Sequence, residues 1–323
     1  MTVLVMGGAG YIGSHTCKAL KKKGYLPVVY DNLQNGHRWA AKFGPLVVGD
    51  LLDESLLDQT FKAYKFDAVL HFASSIDCRA SMHYPGSYYQ NNVVGSLALL
   101  QAMQKNGVRN LVFSSTAAVY GLPETDKLKE THRSAPINVY GNTKWMVEEM
   151  IHDFERAHGF SAVILRYFNA AGADLDGELG EAHSPETHLI PIALSVALEI
   201  QSHLNIFGDG NAIRDYIHVT DLANAHVNAL EWLAAGKGPM TFNLGTGKGH
   251  SLLEVLQMVE KISQKPVKRK IEPKIQGEPP SLVADPALAH DLLGWKSVFS
   301  DLETIVSTAY HWHSKPYRVK EGK

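Results

Sequence analysis

The chain is short of cysteine, of net charge and of long apolar runs, and each shortage removes a class of protein. Only two cysteines occur in 323 residues, Cys17 and Cys78. That is too few for a disulfide scaffold and points to a reducing, cytoplasmic compartment. Lys and Arg number 31 against 33 Asp and Glu, a net charge of −2, so no broad field draws the chain to nucleic acid or to an anionic membrane. The one basic run, residues 265–270, reads as a solvated strand edge. No stretch approaches the roughly 20 apolar residues of a membrane span, and a core strand beginning at residue 3 is expected to leave no room for a signal peptide. No internal repeat or low-complexity tract is visible. What remains, 45% hydrophobic and 20% charged, is the composition of an ordinary globular protein.

What is present begins at once. Val3-Leu4-Val5-Met6 reads as a buried strand, Gly7, Gly10 and Gly13 follow at every third residue, and the run from Tyr11 to Leu20 continues as a helix. In that setting the first glycine permits the tight turn, the second lets backbone approach a pyrophosphate, and the third lets helix pack on strand. Free N–H groups at the helix start then face the phosphates. Asp31 ends the next apolar run. A carboxylate there accepts hydrogen bonds from ribose hydroxyls and repels a 2′-phosphate, which selects NAD over NADP.

The alternation continues. Strands at 3–6, 26–30, 46–48, 67–71, 110–114 and 162–165 are separated by helices at 11–20, 53–63, 91–105 and 138–158. Apolar, β-branched strands in βα repeats imply an α/β protein, a Rossmann-type doubly wound parallel sheet covered by helices on both faces. Ligands bind beyond the carboxyl ends of such strands. After Arg166 the pattern breaks. Residues 169–185 read as a loop, and mixed pieces follow at 190–201, 205–207, 215–219, 222–234, 241–244, 251–263 and 302–313. The organisation expected is an NAD-binding domain at 1–168, joined by part of 215–244, and a smaller mixed α/β substrate-binding cap formed mainly by 169–323.

The chemistry lies in Ser114-Ser115-Thr116, Tyr140 and Lys144. A strand ending in hydroxyl residues at the sheet's carboxyl edge points an O–H into the cofactor cleft. Tyr140 and Lys144, at i and i+4, share one helix face. Such a pair is common by chance, and its place after the fifth strand gives it meaning. Oxidising an alcohol requires hydride to leave carbon while a proton leaves oxygen. Free tyrosine ionises near pH 10, and lowering that by roughly three units takes about 4 kcal/mol. A nearby ammonium and a positive nicotinamide ring supply it in a partly dry cleft, while Thr116 hydrogen-bonds the same hydroxyl. A sensor on this fold would need the glycines but no Tyr-Lys pair. A net oxidoreductase would release its cofactor each cycle.

The segments Gly7 to Gly13, Asp31-Asn32-Leu33, Gly49-Asp50, Ser114-Ser115-Thr116, Val119-Tyr120-Gly121, Tyr140 to Lys144, Leu165 to Asn169 and Arg214 to His218 together resemble the extended short-chain dehydrogenases/reductases. Within them the chain is most similar to the branch that epimerises UDP-sugars at C4. The resemblance runs from residue 2 to about 313. It implies tightly held NAD, used and regenerated in each turnover, and interconversion of UDP-glucose and UDP-galactose, with UDP-xylose and UDP-arabinose or the UDP-N-acetylhexosamines as alternative substrate pairs. It places Gly7, Gly10, Tyr11, Ile12, Gly13, Asp31, Asn32, Asn35, Asp50, Leu51, Phe72, Ala73, Asn91, Lys144 and Phe168 against NAD. Thr116, Tyr140, Asn169, His188, Leu189, Asn205, Phe207, Arg214, Glu278 and Leu282 are placed against the UDP-sugar, with Thr116, Tyr140 and Lys144 catalytic. No metal is implied. Related 4,6-dehydratases carry an Asp-Glu pair after this Thr, where this chain has Ala117-Ala118, which argues against dehydration. Between Phe207 and Arg214 the loop is shorter than in many members, and Lys274 stands near where an Arg is usual. Leu282 would line the pocket beside the sugar's C2 substituent. A homodimer is implied, built on the helices at 91–105 and 138–158, with Leu97, Leu100, Met146 and Met150 as exposed apolar residues.

Overall fold

The computed structural model describes residues 1–274 and 279–315. The chain runs β1 (Thr2–Met6), α1 (Tyr11–Lys22), β2 (Leu26–Asp31), β3 (Leu46–Val48), α2 (Glu54–Tyr64), β4 (Ala68–His71), α3 (Cys78–His83) and α4 (Pro85–Tyr88). A π-helical stretch (Tyr89–Val94) leads into α5 (Gly95–Lys105), followed by β5 (Asn110–Thr116), a 3₁₀ turn (Ala117–Tyr120), α6 (Val139–His158), β6 (Ser161–Tyr167) and β7 (Asn169–Ala171). Then come α7 (Leu189–Ala197), β8 (Leu204–Phe207), β9 (Ile213–His218), α8 (Val219–Ala234), β10 (Met240–Leu244), β11 (Gly249–Ser251) and α9 (Leu252–Ser263). The last elements are β12 (Arg269–Glu272), β13 (Ser281–Leu282), α10 (Ala287–Asp291) and α11 (Leu302–His313).

Seven strands form one parallel sheet in the order β10-β6-β5-β4-β1-β2-β3. Its strands are apolar on both faces because helices cover both. Val3, Val5, Leu70, Val112 and Leu165 pack with α1 and α8 on one face, while Leu4, Met6, Val69, Phe113 and Ile164 pack with α2, α5 and α6 on the other. Strand order reverses between β1 and β4, so the crevice for a ligand opens there, at the carboxyl edge. The second lobe has its own core of α7, α9 and α11 residues, with Ile206 and Tyr216 from its strands. Its strands form two small sheets, β12-β8 and β11-β9-β13, with β7 beside β9.

Several elements depart from the sequence reading. The segment 169–185 is not all loop, because Asn169, Ala170 and Ala171 pair in parallel with Tyr216, Ile217 and His218. Two short helices precede the one expected at 91. Asp77 caps α3 by accepting from the Arg79 and Ala80 N–H groups, and Pro85 opens α4. The helix expected to reach 201 stops at Ala197, and Glu199 turns left-handed. Leu100 is 2% exposed and packs inward, so it is not the surface residue that the helical pattern suggested.

Candidate functional site

The glycine turn is set by close contacts. Gly7 has φ +75°, and a Cβ there would stand 2.7 Å from the Ala73 nitrogen. A Cβ on Gly13 would stand 2.2 Å from the Gly7 carbonyl oxygen. Only glycine fits either place. Gly10 is the N-cap of α1 and supplies no side-chain cap, so the first N–H groups of the helix keep capacity for an anion. The Tyr11 hydroxyl is engaged elsewhere, donating to the Gly172 carbonyl at 2.6 Å. Ile12 packs against the core, and Asn35 borders a small hollow with Gly10, His37 and His183.

At the end of β2 the Asp31 carboxylate is buried and accepts N–H groups from Ala9 at 3.0 Å and Leu33 at 2.9 Å. Burial raises its pKa against those two hydrogen bonds. Each oxygen keeps a further lone pair for a ribose hydroxyl. Asn32 donates to Asp50 at 2.8 Å, and Asp50 also accepts from the Leu52 N–H. Leu51 packs beneath Gly95. Phe72 and Ala73 follow β4, where both N–H groups bond the Met6 carbonyl, and Asn91 donates to Ser75 from the π-helical stretch. Phe168 is buried with Ala117, Val119, Tyr120, Leu128 and Ala284. The cradle, the buried acid and the open helix end fit a dinucleotide.

Beside it, Thr116 ends β5, and its side chain pulls the pKa of the Tyr140 phenol down. The Tyr140 N–H is held by the Ser81 hydroxyl at 3.1 Å. One turn on, the Lys144 ammonium donates to the Ser114 carbonyl at 2.8 Å and stands 4.9 Å from the centre of the Phe113 ring. In this setting burial pushes the Lys144 ammonium down to about 7, against the pull of Glu148. Burial likewise raises the Tyr140 phenol well above its usual 10, reinforced by Tyr167 and Cys78 and opposed by Thr116. Among the chain's own groups the desolvating pocket dominates; the lowering expected of this phenol counts on a positive nicotinamide ring as well.

A layer that the sequence did not flag lies behind this face. Glu148, one turn beyond Lys144, receives Ser115 and a forked Arg166, whose Nε is 3.1 Å from both of its oxygens. Their side chains are 2% and 9% exposed. Arg166 also reaches the Tyr120 hydroxyl at 3.1 Å, and Tyr120 donates to Asn243 at 2.6 Å. This network ties β5, β6, α6 and β10 together. An acid four residues after a lysine looks like a surface pair in sequence, and only burial marks it out.

Apart from Thr116 and Tyr140, the residues assigned to the sugar nucleotide come from the second lobe. Arg214 of β9 is the ladder partner of Leu282 in β13 and of His250 in β11. Leu282 packs against the cluster that holds Ala117 and Phe168, which brings it to the carboxyl edge near Thr116. Asp215, fully buried, fixes this sheet by accepting from Thr246, Gly247 and Ala284. Asn169 opens β7 and is exposed. Asn205 is exposed on β8, and Phe207 lies under the Arg79 guanidinium at 4.5 Å. His188 caps α7, which Leu189 begins. Glu278 lies outside the described residues.

His188 also belongs to a second group missed in the sequence. Its Nδ1 makes a short contact with Glu181 Oε1, and His183 and Glu186 complete a cluster whose donor atoms all lie within 4.8 Å of one another. Burial works against charge on each of the three groups that follow, but the neighbours win. Glu181 is held down to about 2 by the two imidazoles, His183 is raised to about 10 by the two carboxylates, and His188 is raised by Glu181. The Glu-x-His-x-x-Glu-x-His spacing was the available signal.

The chain resembles known proteins along nearly its whole length. The family described as NAD dependent epimerase/dehydratase matches residues 3–245. The UDP-glucose 4-epimerase of Rhizobium leguminosarum bv. trifolii is 48% identical over 320 residues, 97% of this chain and 98% of that one. The crystal structure of UDP-glucose 4-epimerase from Brucella ovis in complex with NAD superposes with a TM-score of 0.94 at 47% identity, covering 97% and 98% of the two chains. The UDP-Glc/GlcNAc 4-epimerase from Campylobacter jejuni superposes with a TM-score of 0.85 at 38% identity, covering 97% and 99%.

Proposed function

The chain belongs to the NAD-dependent epimerase/dehydratase family, and on that premise we propose that it interconverts UDP-glucose and UDP-galactose at C4. The observation that carries this reading is Thr116 and Tyr140 together at the sheet's carboxyl edge, with Lys144 one turn on from Tyr140 and a dinucleotide cradle beside them. NAD would be held by the glycine turn, Asp31 and Phe72, and would supply the hydride acceptor and donor for sugar C4. Tyr140 takes the 4-hydroxyl proton as hydride leaves and gives it back on return. Thr116 holds the phenol oxygen, and its hydrogen bond already favours the phenolate that burial opposes. Lys144, one turn on and with its ammonium on the Ser114 carbonyl, is assigned to the cofactor and to supporting the phenolate. Two alanines after Thr116 supply no acid to expel water from C5–C6, so the keto sugar has no exit except reduction. Asn169, Asn205, Phe207, Arg214 and His188 are assigned to the nucleotide and diphosphate, and Leu282 to the sugar.

The unit that binds NAD is read as residues 1–168 with part of 215–244, since β10 joins the large sheet. The second lobe carries the substrate. A two-fold homodimer through α5 and α6 is supported by exposed Val94 and Met146 beside half-buried Leu97 and Met150, and most small oligomers are two-fold. Light scattering showing a stable monomer at micromolar concentration would reject it. No helix among the described residues is long and apolar enough to cross a membrane. Only two cysteines occur in the chain, a count that supports a cytoplasmic setting. The activity is tested by incubating the purified chain with UDP-galactose and no added NAD. UDP-glucose should form, and the cofactor should stay with the chain through gel filtration. No conversion, or conversion only with added NAD and net NADH release, contradicts the reading.

A further inference from the structure

We propose that Glu181, His183, Glu186 and His188 form a site for one divalent transition-metal ion, of which zinc is the best match, clipping the loop before α7 to the start of that helix. Four donor atoms converge: Oε1 of Glu181, Nδ1 of His183, Oε1 of Glu186 and Nδ1 of His188. A four-coordinate zinc with bonds of about 2.0–2.1 Å requires donor–donor edges of about 3.3–3.4 Å. Three of the edges are 3.1 Å for His183–Glu181, 3.7 Å for His183–Glu186 and 3.9 Å for His188–Glu186. These three lie near tetrahedral dimensions before any ion enters, and the shorter Glu181–His188 contact has to open to admit it.

Two further observations favour an ion. His183 Nδ1 is shut off from solvent and, although near Glu181, makes no hydrogen bond of adequate angle. The donors are also held from behind. The Trp312 indole donates to the Glu181 carbonyl at 2.9 Å, and the His37 ring donates to the Ala182 carbonyl at 2.6 Å. The Thr187 and His188 N–H groups hold Glu186 Oε1 at 2.8 and 2.9 Å. A preordered loop loses little entropy on binding. The donor set selects the ion class. Two imidazoles and two carboxylates suit zinc and its neighbours, whereas calcium and magnesium demand six or more oxygens. A divalent ion also balances the two carboxylates, of which Glu181 is 3% exposed. The competing state is two imidazolium rings paired with those carboxylates, and it takes up no metal.

The test uses the full, tag-free chain, stripped with a chelator and titrated with zinc chloride by calorimetry, without substrate, so that it is independent of the epimerase reading. One equivalent should bind, and the melting temperature should rise with zinc and fall back with chelator. Cobalt(II) should give the intense visible bands of a four-coordinate ion. His183→Gln and, separately, Glu186→Gln should each weaken zinc at least about 100-fold while circular dichroism stays unchanged. Substoichiometric binding, a weak six-coordinate cobalt spectrum, or affinity unchanged in both variants overturns the site. Should one variant fail to fold, the other and the wild-type cobalt spectrum still decide.

Discussion

The cofactor side of the cleft and its sugar side are built by different means. On the cofactor side, Gly7, Asp31, Asp50, Phe72, Thr116 and Phe168 sit at or just past the ends of parallel strands of one sheet. A repeating βα rule puts them there, and the network of Glu148, Arg166 and Tyr120 locks two of those strands to α6. On the sugar side, Arg214 meets Leu282 only because β9 and β13 pair across a long stretch of chain, in a small sheet held by Asp215. The first arrangement resists change except at a few buried points. In the second, Leu282 lies on a two-residue strand outside the large sheet, so a change there is expected to leave the frame intact.

The largest expected effect is on the frame. Glu148→Ala leaves the Arg166 guanidinium buried and unpaired, which should cost about 3–5 kcal/mol in urea unfolding. Replacing both residues with apolar ones of similar size should recover most of it. A loss below about 1 kcal/mol for the single change would mean that the cofactor side is not held by this pair.

Next comes the chemistry. Tyr140→Phe keeps the ring and its packing but removes the proton acceptor, and turnover should fall at least ~10²-fold with NAD still bound. Near-normal turnover would remove Tyr140 from its assigned role.

A smaller effect is expected on the sugar side. Leu282 is proposed to line the space beside the C2 substituent, where overpacking by an acetamide would cost about 1–3 kcal/mol. UDP-glucose and UDP-galactose should then be preferred roughly 5- to 150-fold over their N-acetyl forms in kcat/KM. Leu282→Ser should narrow that gap and leave stability almost unchanged. Equal activity on the N-acetyl pair in the wild type would detach Leu282 from the sugar.

The smallest is a pH effect. Lys144 falls from 10.5 to about 7 on folding because it is buried. Above pH 7 the unfolded chain therefore holds a proton that the folded chain has released, so stability rises with pH from about 7 toward 10.5. Relative to Lys144→Met, the gain between pH 7 and 8 is at most about 1 kcal/mol. A difference that is flat or falling over this range would place the ammonium in a more solvated setting.

The same contrast explains what could be read in advance. Strand ends rich in glycine, acid or hydroxyl groups announce themselves, because local pattern and sheet register agree. The strand Asn169-Ala170-Ala171 has no apolar alternation and exists only through β9. The helix α3 has little apolar face, and its one signal was the Asp77 cap. Leu100 was misjudged because α5 is covered by both α2 and α6, so more than one face of it is buried. Glu148 and the Glu181 cluster carry charge in ways that composition treats as surface. Tyr140 was placed by spacing, but the direction of its pKa depends on how dry its pocket is, which spacing does not encode.

The central claim is that one carbon is oxidised and reduced again inside one closed cleft. It is tested most directly with UDP-glucose carrying deuterium at C4, turned over in ordinary water to equilibrium with UDP-galactose. The label should remain at C4 of both sugars, with none in solvent and none in free NADH. Loss of label to water, or its appearance in released cofactor, would contradict the account.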